Sequence, residues 1–123
     1  ARLIAVTVLT SLADDDLWRV GFETARDAAL HARGLAGLAR QAGLDGVVCS
    51  PHDLVGIRHD LGADFLTVVP GIRPADAAAQ DQKRIATPKA ALAAGADILV
   101  IGRAITGATD PVASCRAIAA ELR

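Results

Sequence analysis

Four short apolar runs rich in β-branched residues punctuate the chain: "LIAVTVL" (3–9), "GVVC" (46–49), "FLTVV" (65–69) and "ILVI" (98–101). They are near-continuous rather than alternating, the pattern of parallel strands buried on both faces. Helical patterns fill the gaps. Residues 12–20 predict a short helix, with Ser11 as N-cap and Asp14 completing a capping box. Residues 26–42 repeat Ala and Leu at helical spacing and stop at Gly43. Residues 51–60 open on Ser50-Pro51, residues 88–94 on Thr87-Pro88 and residues 110–122 on Asp110-Pro111, each a cap followed by proline at the first helical position.

The order is β-α four times over, in units of roughly 30 residues typical of βαβ construction. "AGLDGVV" and "AGADILV" look alike, each a cap glycine, a polar residue and a strand. Two architectures fit this order: an open doubly wound sheet, and one half of an eight-stranded (β/α) barrel. The 123 residues suffice for one domain, and no linker divides them. Aromatic residues are only 2% of the chain, so the core must be built from Ala, Val, Leu and Ile. Thirteen basic against 14 acidic residues, a net charge of -1, give no electrostatic case for nucleic acid or a membrane surface. No apolar run approaches the roughly 20 residues of a membrane span. Cys49 and Cys115 lie far apart, which suits a reduced, cytoplasmic chain rather than a disulfide scaffold. The start, entering a strand at once without Met, reads as a truncation or a cleavage product.

Ligands of parallel α/β folds bind beyond the carboxyl ends of the strands. Arg103 stands two residues past "ILVI", after Gly102, where the backbone can approach a ligand closely. The strand before it ends in "PGIRP", bringing Arg73 to the same rim. Two guanidinium groups and unpaired backbone N–H groups suit a phosphate. The competing reading makes Arg103 a solvated rim residue or an ion-pair partner of Asp97 or Asp110. The loop of about 70–86 is long enough for a functional role.

These residues resemble a family. "LIAVTVLTS", "GLDGVVCS", "PGIRP", "DQKRIATPKAALAAGADILVIGRAIT" and "DP" together look like the second half of orotidine 5′-phosphate decarboxylase, in order and over essentially the whole chain. The most specific pieces are PGIRP, DQ-x-R-x-x-TP and VIGR-x-IT. The resemblance implies an α/β fold of the (β/α)8 TIM-barrel type, with residues 1–123 forming its last four βα units and the N-terminal half lying outside this chain. It implies conversion of orotidine 5′-monophosphate to uridine 5′-monophosphate in pyrimidine biosynthesis, without cofactor or metal, by a homodimer. Thr10 then matches the residue that contacts the pyrimidine, and Pro70 the one beside the ring. Gln82 matches a loop residue reaching both ring and phosphate; Arg73, Gly102 and Arg103 match phosphate contacts. A hydroxyl and an amide can read ring carbonyls and N–H groups. Arginines pair with a phosphate in planar fashion.

The family's catalytic array, Asp-x-Lys-x-x-Asp on its third strand, has no match. The two lysines are Lys83 and Lys89; Asp81-Gln82-Lys83 begins like the array, but Ala86 stands at the second Asp and the segment is a loop. Catalytic precision needs rigid elements, so no catalytic residue is assigned here. The alternatives are a nucleotide- or phosphate-binding half-barrel without turnover, and another phosphate-using barrel enzyme. Cys49-Ser50-Pro51-His52 has half the spacing of a metal site but no second pair, so no metal is expected. His31 and His59 read as surface or packing residues, the Asp14–Asp16 run as a helix first turn, and Trp18 and Phe22 as helix packing or an oligomer contact.

Overall fold

The computed structural model describes residues 1–77 and 80–123; positions 78 and 79, inside the long loop, lie outside the described residues. Four parallel strands, β1 (Ile4–Val6), β2 (Gly46–Val48), β3 (Leu66–Val69) and β4 (Ile98–Leu99), form one sheet in chain order. Helices α1 (Asp14–Arg19) and α2 (Ala28–Gln41) follow β1, and α3 (Leu54–Leu61) follows β2 after a 3-10 turn at Pro51–Asp53. Helix α4 (Pro88–Ala93) follows β3, and α5 (Arg103–Thr106) and α6 (Pro111–Glu121) follow β4.

Side-chain capping explains three of the six helix starts among the described residues. Asp27, Thr87 and Asp110 accept from the backbone N–H groups of Leu30, Ala90 and Ala113 at 2.8, 3.2 and 2.9 Å. The expected Ser11 cap is not used. Helix α1 begins two residues later at Ala13, whose N–H donates to Asp16 Oδ2 at 2.8 Å. Asp16 sits in the first turn and makes only the return half of a capping box, accepting from the N-cap backbone, because the alanine side chain has no acceptor of its own. Helices α2 and α4 run out at Gly43 (φ +82°) and Gly95 (φ +105°), left-handed positions that favour glycine.

The sheet is covered on one face only, which corrects the expectation of two buried faces. Val47, Cys49, Phe65 and Val69 meet Ala36 and Ala39 of α2, Leu54 and Ile57 of α3 and Ala91 of α4 in one core. Residues of opposite parity face away from it: Val6, Ile98 and Val100 are 59, 47 and 45% exposed. A period of two assigns one set of strand residues to the helices and leaves the other open. In α2 the buried stripe is Ala28, Ala32, Ala36 and Ala39, while Leu30, Leu35 and Leu38 face outward. A stripe of alanines lets a helix approach the sheet closely, and the remaining space is filled by Leu54, Ile57, Phe65 and Ile72.

Arg58 ties the amino ends of the strands together. Its guanidinium donates to the carbonyls of Phe65 and Gly95 at 2.6 and 2.7 Å, to Thr67 Oγ1 at 2.8 Å and to Asp97 Oδ2 at 2.6 Å. Asp97 Oδ2 also accepts from Thr67 N–H at 2.7 Å. Burial pushes the Asp97 carboxyl up, but these hydrogen bonds outweigh it and hold the group below the ordinary carboxylate value.

Two outcomes are expected. The edges at β1 and β4 carry unpaired backbone groups beside an uncovered apolar face. The 12.6 kDa chain on its own should therefore self-associate; a single monomeric boundary in sedimentation velocity at tens of micromolar would contradict this. Cys49 is buried and its thiol is pushed up to about 12, mainly by desolvation, whereas Cys115 is exposed. A thiol reagent at mild alkaline pH should modify Cys115 alone in the folded chain and both cysteines after denaturation, as read by intact mass.

Candidate functional site

The site is assembled by a strap, the segment that leaves β3 and returns across the strand ends before α4. The chain turns at Gly71 (φ +75°), where an added Cβ would lie 2.9 Å from the Arg84 carbonyl oxygen. Only glycine fits both the left-handed backbone and that approach. Ile72 then pairs with Ala86 in a parallel bridge, flanked by Arg73 N–H to Ala86 O at 3.0 Å and Ala86 N–H to Gly71 O at 3.2 Å. The returning limb reaches the end of β1, where Lys83 and Arg84 N–H both donate to the Thr10 carbonyl, at 3.0 and 3.2 Å.

Arg84 locks this arrangement from inside. Its buried guanidinium donates to Asp53 Oδ1 at 2.7 Å and to the carbonyls of Val8 and Leu9 at 2.9 and 3.3 Å. Asp53, fully buried, also accepts from Ser50 N–H at 2.8 Å. Burial pushes the Asp53 carboxyl up, and the Arg84 charge and the Ser50 N–H pull against it. His52 Nε2 meets the Ile85 carbonyl at 3.0 Å, a second tie to the strap. The Cys49–His52 stretch thus divides between the core and the strap: Cys49 belongs to the core, His52 to the loop.

Beyond the carboxyl ends of β3 and β4 lies a cleft of about 180 Å³, lined by Pro70, Gly71, Ile72, Arg73, Gln82, Val100, Gly102 and Arg103. Pro70, Arg73, Gln82, Gly102 and Arg103, singled out in the sequence, therefore share one space. Thr10 is buried beside it and its hydroxyl donates to Gln82 Oε1. Arg73 is buried too. Its Nε has no hydrogen-bond partner, its Nη2 makes a long 3.4 Å contact to Gln80 Oε1, and it has no ion pair among the described residues. Such a guanidinium is strongly disposed to take an anion.

Arg103 is half-exposed and pairs with Asp81. That pairing lowers the Asp81 carboxyl below its usual value, Arg103 being the largest cause. The sequence pointed to Asp97 or Asp110 as possible ion partners; Asp97 belongs to Arg58 and Asp110 caps α6. Gly102 precedes α5, which has only four residues, so its dipole adds little. A Cβ at Gly102 would meet open space. Lys83 forms an ion pair with Asp16 of α1 at 2.6 Å and is not among the cleft residues. Gln80, Asp81, Arg84 and Asp53 are the residues that sequence reasoning missed. Arg84 was legible as the arginine of DQ-x-R, and Asp53 as an acidic residue three positions past Ser50. Nothing local tied the two together.

The sequence profile of the Orotidine 5'-phosphate decarboxylase / HUMPS family matches residues 1–118. The chain belongs to this family. It is 55% identical over 121 residues to the orotidine 5'-phosphate decarboxylase of Rhodospirillum rubrum, covering 98% of this chain and 48% of that protein. The Thermobifida fusca decarboxylase is 54% identical over 123 residues, with 99 and 52% coverage. The crystal structure of the Lactobacillus acidophilus decarboxylase superposes with a TM-score of 0.76 at 40% identity, covering 99% of this chain and 49% of that one. The chain thus spans about half the length of the curated relatives it matches, and its four-stranded parallel sheet is half of a TIM barrel.

Within this family fold, the strap depends on the buried pair. Asp53→Ala leaves the Arg84 charge buried without its carboxylate and should cost about 3–5 kcal/mol. A denaturant midpoint unchanged from the parent would show that the pair does not hold the strap.

Proposed function

We propose that this chain supplies pyrimidine and phosphate recognition to an enzyme that decarboxylates orotidine 5′-monophosphate to uridine 5′-monophosphate in pyrimidine biosynthesis. The observation that carries this reading is the single cleft shared by Pro70, Arg73, Gln82, Gly102 and Arg103 at the strand ends. In it Arg73 and Arg103 bind the phosphate dianion, and the open backbone at Gly102 lets a phosphate oxygen approach. Pro70 lies beside the ring. Gln82, on the strap and bonded to Thr10, bridges ring and phosphate, with Thr10 reading the ring edge.

The reaction leaves an electron pair at C6 of the ring when CO2 departs. A fixed cation that also delivers a proton stabilises that centre, and electrostatic preorganisation is usually the largest catalytic contribution. Lys83 is engaged by Asp16, and Lys89 lies on α4. In this reading the catalytic lysine and aspartates come from the other half of the barrel, which covers the open face of the sheet and both its edges. The complete protein acts as a cytoplasmic homodimer and uses no cofactor. Taken alone, the chain binds nucleotide without turnover, a reading favoured by the absence of either lysine from the cleft lining.

Calorimetry of the complete protein tests the site. Uridine 5′-monophosphate should bind far more tightly than uridine. Arg103→Ala should weaken the monophosphate by about 1.5–3 kcal/mol, the range for hydrogen bonds to charged groups, and leave uridine almost unaffected. Equal affinities for nucleoside and monophosphate would remove the phosphate role.

A further inference from the structure

Three consecutive residues of the strap each present a side-chain oxygen to a donor at the cleft. Gln80 Oε1 accepts from Arg73 Nη2 at 3.4 Å, Asp81 Oδ1 accepts from Arg103 Nη2, and Gln82 Oε1 accepts from Thr10 Oγ1. The three donors are those assigned above to phosphate and ring. Neighbouring residues reach three separate donors because the backbone turns sharply at Gln80, the one non-glycine residue with positive φ (55°) among the described residues. That conformation is unfavourable for a residue with a Cβ and persists where surrounding contacts hold it. Here those contacts are made with the cleft itself.

We propose that Gln80-Asp81-Gln82 is an internal stand-in for the ligand, with the Asp81 carboxylate acting as the counterion that a phosphate dianion must displace from Arg103. This rests on the phosphate reading of the cleft and adds a residue, Asp81, that sets its affinity and its selection by charge. A carboxylate on a guanidinium makes the same charge-assisted hydrogen bond that a phosphate oxygen makes. The two side chains are 49 and 59% exposed, so the pair is a weak, solvent-screened one that a stronger anion can exchange. An aspartate is ionised throughout the neutral range, and the pairing with Arg103 lowers its carboxyl further, so it competes there. A dianion gains more from the two arginines than a singly charged carboxylate does and pays the exchange, whereas a neutral nucleoside has nothing to exchange with.

The test is calorimetry on the complete protein with uridine 5′-monophosphate, uridine and inorganic phosphate, comparing the parent with Asp81→Asn and Asp81→Ala. Asparagine removes the charge and keeps the shape; alanine removes both. The monophosphate and inorganic phosphate should bind about two- to fivefold more tightly to both variants, as expected for loss of an exposed competing pair, with uridine unchanged. Monophosphate affinity that is unchanged or weaker in both variants, while the parent still prefers the monophosphate over uridine, overturns the stand-in and leaves the phosphate site intact. A parent that binds uridine and its monophosphate equally overturns the phosphate reading and the stand-in with it. Tightening that extends equally to uridine also overturns the proposal, because Asp81 would then be shaping the cleft in general rather than competing for Arg103.

Discussion

The buried ion pair between Arg84 and Asp53 is the interaction on which the candidate site depends. It adds a buried side-chain anchor to the backbone bonds that already hold the strap to Gly71, Thr10 and Ala86. With it, Thr10, Gln82 and Arg73 are drawn around one cleft. A buried pair of this kind is seldom a large net source of stability, because desolvation offsets most of the attraction. Its value is geometric. Arg84 also takes the carbonyls of Val8 and Leu9, so it fixes the backbone immediately before Thr10. One guanidinium thus sets the relative position of β1, the turn after β2 and the strap.

Arg58 does comparable work at the opposite ends of the strands, gathering Phe65, Thr67, Gly95 and Asp97. The division is informative. At the amino ends the arginine's hydrogen bonds go to groups at the start of β3 and β4 and to the Gly62 and Ala63 carbonyls at the end of its own helix, and the result is a closed, structural end. At the carboxyl ends the buried Arg84 spends both Nη groups on Asp53 and on the Val8 and Leu9 carbonyls, while Arg73 has no ion pair among the described residues and the half-exposed Arg103 pairs with Asp81. Parallel α/β folds place their chemistry at the carboxyl ends of strands, and this sheet assigns its arginines accordingly.

Much of this was legible in the sequence, for identifiable reasons. Strands and helices could be read because proline and glycine punctuate them and Thr87 and Asp110 are strong caps; the Asp27 cap was missed, and the helix was read as starting two residues early, at Arg26 instead of Ala28. Arg73, Gly102 and Arg103 could be grouped because parallel strands deliver whatever follows them to one rim, whereas Pro70 and Gln82 were placed with them by the family resemblance. The two-faced burial of the strands was misread: a continuous apolar run says that both faces avoid water, not that one chain covers both. The α1 cap was misread because Ser11 looked like a better acceptor than Ala13, and only the fold shows Asp16 reaching back. Asp81 was passed over for Asp97 and Asp110 because sequence distance favoured them; the strap, folding back over the rim, brought a residue 22 positions away onto Arg103. Contacts of that kind depend on where a loop lands, which no local pattern encodes.

The scarcity of aromatic residues has an optical consequence. The chain contains one tryptophan and no tyrosine, so its near-ultraviolet absorption and emission come almost entirely from Trp18. That indole is partly exposed on α1, with its Nε1 near the Arg26 carbonyl, two residues from Asp16 and its ion pair to Lys83 of the strap. A single emitter therefore sits one salt bridge away from the segment that crosses the cleft. Any change in its emission reports on α1 and its surroundings, readable without attaching a label.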